Sequence, residues 1–98
     1  MEHMTIFLDV ETTGIGSFRP PKQRIMQLSW IYNDNEFNFF IDDVTKVSPS
    51  VPHDITIEYC HKHGVSFSHA FSILLRHLQD CDKLVCHNVD FDISSIAF

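Results

Sequence analysis

Apolar and polar positions change their period several times along the chain, and each change marks an element. From Met4 to Val10 the repeat is two residues, with Ile6, Leu8 and Val10 on one side and Phe7 and Asp9 on the other. That pattern predicts a strand that is mostly apolar on both faces. Breakers follow, from Thr12-Thr13-Gly14-Ile15-Gly16 through Arg19-Pro20-Pro21, and predict a loop. Arg24 to Asn33 carries Ile25, Met26, Leu28, Trp30, Ile31 and Tyr32 and reads as a second strand. Asn33 to Glu36 is polar and predicts a turn, after which Phe37 to Asp42 returns as a third strand, closing a β-hairpin.

A loop is expected from Asp43 to Pro52, punctuated by Ser48-Pro49 and Val51-Pro52. Asp54 is placed to cap a short helix over Ile55 to His63, which Gly64 would end in a left-handed conformation. Ser66 or Ser68 can cap a second helix, whose Phe67, Phe71, Leu74, Leu75 and Leu78 recur at three to four residues and form one buried stripe. Lys83 to His87 is a fourth strand, and Asp90 or Asp92 opens a final helix. The predicted order is βββααβα, a single α/β domain over residues 1–98, with a mixed sheet and helices packed on it.

Composition narrows the picture. With 44% apolar residues and nine phenylalanines the chain can build a core, which sets it apart from disordered sequences. A net charge of −6 argues against a module that grips nucleic acid by neutralising phosphates. It leaves room for an enzyme that meets phosphates through divalent cations. Cys60, Cys81 and Cys86 are odd in number and lack a CxxC pair, so the expectation is free thiols in a reducing, intracellular compartment rather than a disulfide framework. No apolar run is long enough for a membrane span, and no membrane partner is expected.

The candidate chemistry lies in carboxylates. Asp9 and Glu11 flank Val10 at the end of the first strand, and residues two apart on a strand share a face. Two carboxylates held together repel unless a cation lies between them. By spacing alone they also fit a bland reading, in which one caps the next turn and the other is solvated. Cys60-His61-Lys62-His63 and Cys86-His87 could suggest zinc, but a closed zinc site needs four ligands in recognisable pairs, and ordinary helix and turn residues account for them better. Arg19, Lys22 and Arg24 read as a solvated loop cluster.

Context adds to the carboxylate pair. Phe7-Leu8-Asp9-Val10-Glu11-Thr12-Thr13-Gly14 resembles the first motif of the DnaQ-like 3′-to-5′ exonucleases, the DEDDh type of the DEDD superfamily. Leu84-Val85-Cys86-His87-Asn88-Val89-Asp90-Phe91-Asp92 resembles their second motif, and His63-Gly64-Val65 is a weaker match to a helix-ending signature between the two. The resemblance implies an RNase H-like mixed sheet and two divalent ions, Mg²⁺ or Mn²⁺, with Asp9, Glu11 and Asp92 as metal ligands and catalytic residues. It implies that Thr12, Thr13 and Gly14, with His63, His87, Asn88 and Phe91, contact the 3′ end of DNA or RNA. That family's third motif, a His base with a fourth Asp, follows the second. His3, His53, His61, His63, His69 and His77 all precede it, so none stands in that place by order. The expectation is therefore a shortened copy lacking the C-terminal strand and helices, completed by a further segment or by a homo-oligomeric partner. The alternative is a non-catalytic module of the same fold that binds a nucleic-acid end or a protein.

Overall fold

The computed structural model describes residues 4–13, 25–44, 47 and 53–86. Within them the chain is a small α/β domain with a four-stranded mixed sheet and two helices. The elements are β1 (Thr5–Thr12), β2 (Ile25–Tyr32), β3 (Asn35–Phe40), α1 (Ile57–His63), α2 (Phe67–Asp80) and β4 (Lys83–Cys86). The sheet order is β3-β2-β1-β4. β1 pairs antiparallel with β2 and parallel with β4, and β2 pairs antiparallel with β3. The final helix expected after Asp90 lies outside the described residues.

The β2–β3 hairpin closes through Asn33 and Asp34, whose φ angles of 51° and 64° place both in the left-handed region. A two-residue turn with both φ positive matches the right-handed twist of the flanking strands, and Asn and Asp tolerate that conformation better than other side chains. The turn is thus shorter than the Asn33–Glu36 stretch that polarity suggests, and β3 begins at Asn35.

The main core lies on one face of the sheet. Ile6, Leu8 and Val10 of β1, Ile25, Leu28 and Trp30 of β2, and Ile41 are buried against Ala70 and Leu74 of α2, with Phe67, Phe71, Ile73 and Leu78 packed around them. The second helix therefore keeps most of its predicted stripe. Leu75 is the exception at 43% exposed, because a stripe of five at this spacing is wider than the arc α2 turns to the sheet; Ala70 and Ile73 complete the contact. Burial of this apolar surface is the chief stabilising term.

A second cluster contains Met26, Val44 and Cys60, with Phe40, Val47, Ile55 and Ile57 around them. Phe39 packs in the first cluster and Phe40 in the second, so by strand alternation α1 and α2 lie on opposite sides of the sheet. An irregularity makes this arrangement work. The β1–β2 register shifts between Glu11 and Thr12, where Glu11 faces Gln27 and Thr12 faces Ile25. The extra residue, Met26, turns into the second cluster. Ile25 and Leu28, three apart, can then both face the first, which an unbroken two-residue repeat would forbid.

Helix α1 starts at Ile57 rather than Ile55, because Thr56 and not Asp54 is its cap: the Thr56 hydroxyl accepts from the Tyr59 N–H at 3.1 Å. Ser66 caps α2 in the same way, accepting from the His69 N–H at 3.1 Å. Gly64 ends α1, but in an extended conformation (φ −84°, ψ 167°) rather than the left-handed one expected. Glycine is required here by crowding. A Cβ would overlap the Cys60 carbonyl and come within 2.9 Å of the Asp42 nitrogen and 3.0 Å of the Phe40 carbonyl. That close approach lets Val65 donate to the Phe40 carbonyl (2.8 Å) and accept from Asp42 (3.0 Å), tying the chain after α1 to the end of β3.

Candidate functional site

Among the described residues, no helix packs over β1 on the face of the sheet away from α2. Phe7, Asp9 and Glu11 point there, beside Ile31, Ser29 and Gln27 of β2 in register. The face is graded. Its apolar end holds Phe7 (52% exposed) and Ile31 (44%), with half-buried Val85 of β4 opposite Phe7. Its polar end holds Asp9 and Glu11, with Ser29, Gln27 and Asn38 across β2 and β3. β1 is therefore not buried on both sides as its composition suggests: Phe7 and Asp9 are exposed, and among the described residues no helix covers them.

Asp9 is exposed and Glu11 half-buried. One carboxylate oxygen of Asp9 accepts from the Val10 N–H at 3.0 Å, a local bond that orients the side chain. The Ser29 hydroxyl donates to the Asp9 carbonyl at 3.4 Å, holding the backbone against β2. Thr12 and Thr13, at the strand end, are buried, and their side chains face protein. The Thr12 carbonyl lies 2.6 Å from His53 Nε2.

β4 runs parallel to β1, and Cys86 lies level with Leu8. The described part of β4 thus ends, at Cys86, beside β1 and at the same end of the sheet as the Asp9–Glu11 pair. Gly14, His87, Asn88, Phe91 and Asp92 themselves lie outside the described residues. His63 is exposed at the end of α1, its ring 4.5 Å from that of Tyr59. Two residues on, Val65 bridges Ile41, so β3 and β2 stand between that point and β1. The structure brings Asp9, Glu11, Thr12 and Thr13 together and sets His63 apart.

Two carboxylates at this spacing supply hard oxygen donors, the type that magnesium and manganese take. Among the described residues no group of three or more His, Cys, Asp or Glu side chains gathers as a metal site. Of the residues weighed for zinc, Cys60 and His63 sit differently: Cys60 in the second cluster and His63 on the surface. Cys60 is fully buried, its thiol donates to the Met26 carbonyl at 3.7 Å, and burial pushes its pKa up. His53, by contrast, reaches the strand end although nothing in its sequence position marks it. Its only sequence signal is a lone histidine after Val51-Pro52, which is too common to read.

No protein-family model matches the chain, and no curated protein sequence matches it. No described helix is long and apolar enough to cross a membrane.

Proposed function

We propose that this chain carries the Asp9–Glu11 part of a divalent-metal site of the DnaQ-like, RNase H-like type, and that it releases nucleotides from the 3′ end of DNA or RNA. The observation that carries this reading is positional. Asp9 and Glu11 share the open face at the end of β1, and parallel β4 leads into His87-Asn88-Val89-Asp90-Phe91-Asp92 from the adjacent strand at the same end.

In this reading Asp9, Glu11 and Asp92 hold the ions. Two such ions supply an activated water and stabilise the charge on the departing 3′ oxygen. Asp9 is fixed for this role by its bond from the Val10 N–H, and its exposure leaves it open to a phosphate. The polar stretch through Ser29, Gln27 and Asn38, in which the Gln27 amide donates to Asn38 Oδ1 at 2.7 Å, gives a hydrogen-bonding floor next to the pair. Gly14, His87, Asn88 and Phe91 would surround the terminal nucleotide.

The test is release of a labelled 3′-terminal nucleotide in Mn²⁺ by wild type, Asp9→Ala and Glu11→Gln. Wild type is expected to cleave and each variant to lose at least about 10²-fold, as removal of a group that stabilises transition-state charge does. Wild type and variants equally silent would mean that these residues do not complete the site by themselves, either as part of a larger exonuclease or as a binding module.

A further inference from the structure

His53 stands where the loop entering α1 meets the end of β1. Its Nε2 lies 2.6 Å from the Thr12 carbonyl oxygen, and its Nδ1 lies 3.3 Å from the Ile55 nitrogen. A carbonyl only accepts and a backbone N–H only donates, so Nε2 donates to Thr12 and Nδ1 accepts from Ile55. The bond to Thr12 falls next to the register shift between Glu11 and Thr12, where the regular ladder that holds the rest of β1 is interrupted. On its other side His53 is anchored to a firm support, since Ile55 and Ile57 pack with buried Cys60, Met26 and Val44.

We propose that His53 is a positioning residue for the Asp9–Glu11 pair. It bridges the interrupted end of β1 to the base of α1, so the backbone that carries Glu11 is held from the far side as well as by β2. This rests on the metal-binding reading of the two carboxylates. His53 acts through the Thr12 carbonyl, one residue beyond Glu11, and is assigned no contact with substrate.

The experiment is Mn²⁺ titration of the full chain, followed by loss of the free Mn²⁺ electron-paramagnetic-resonance signal. It compares wild type, Asp9→Ala, His53→Met and His53→Gln. Methionine fills the space without a donor, whereas the glutamine amide can still donate to the Thr12 carbonyl. Expected are marked weakening in Asp9→Ala, about tenfold weakening in His53→Met, the low end for partners one layer removed from a metal, and near wild-type affinity in His53→Gln. If His53→Met binds as wild type while Asp9→Ala does not, the positioning role is overturned and the metal reading stands. Equal weakening in both His53 variants would reduce His53 to packing and also overturn the role. If Asp9→Ala binds Mn²⁺ as wild type does, Asp9 is no ligand and both readings fall together.

Discussion

His77 joins α2 to the hairpin through an aromatic cluster. Its ring stacks on Tyr32 at 4.2 Å, lies 4.7 Å from Phe37, and its Nδ1 accepts the Trp30 indole N–H at 2.9 Å. Indole only donates, so Nδ1 must be bare and the ring neutral. Burial lowers the His77 pKa from its ordinary 6.5, the positive charge of Arg76 lowers it further, and Asp80 opposes. A depressed folded pKa means the unfolded chain binds more protons at acid pH. His77's share of stability is therefore complete above 6.5 and lost as pH falls below it. His77→Asn keeps an acceptor for Trp30 but does not titrate. Urea midpoints at about pH 7.5 and about pH 5.5 should fall for wild type and fall less for this variant; equal losses would place the titration elsewhere. Gly64 gives a second residue-scale test. Gly64→Ala must push a Cβ into the Cys60 carbonyl, so a loss of about 1–3 kcal/mol in urea unfolding is expected, whereas a left-handed glycine would cost less space and more torsion. Neither His77's partners nor the reason for Gly64 can be read from sequence, because both depend on which backbone comes close in three dimensions. That a helix stops at Gly64, by contrast, is a local signal, and it holds.

The elements are where local chemistry speaks most clearly. All six described elements fall where the apolar pattern, the caps and the breakers together predict them, with ends that move by a few residues. The ends move for identifiable reasons: Thr56 outcompetes Asp54 as a cap, and Asn33-Asp34 alone suffice to turn the hairpin. The turn yields a prediction at this scale. Asp34 has φ 64°, where a side chain is strained and glycine is not, so Asp34→Gly should stabilise the domain by about 0.5–1 kcal/mol in urea unfolding. No gain would mean that the Asp34 side chain offsets its own strain. The bulge at Met26 is the element-scale feature hidden from sequence. Ile25-Met26 reads as an ordinary strand pair, and only the two clusters it serves reveal the extra residue.

At the scale of the molecule, the sheet order places the strand carrying Asp9 and Glu11 second from one edge, between β2 and parallel β4. An α/β domain with a hairpin and a helical crossover is legible from the order of periods alone. The shared face of the two carboxylates is legible too, since it follows from spacing. What sequence hides is the sidedness. Among the described residues α2 packs on one face and α1 on part of the other, where Phe40 and Met26, not β1, receive it, and Asp9 is left exposed. His53 reaches the strand end as a result of the same placement. The apolar end of that open face, Phe7 and Ile31, has no role in the proposed chemistry.

The most direct test of the exonuclease reading is the product pattern from a 5′-labelled single-stranded oligonucleotide incubated with the full chain and Mn²⁺, beside Asp9→Ala. A ladder that shortens one nucleotide at a time from the 3′ end, and that Asp9→Ala abolishes, is the expected result. Internal cuts, or a ladder that Asp9→Ala leaves intact, would contradict it.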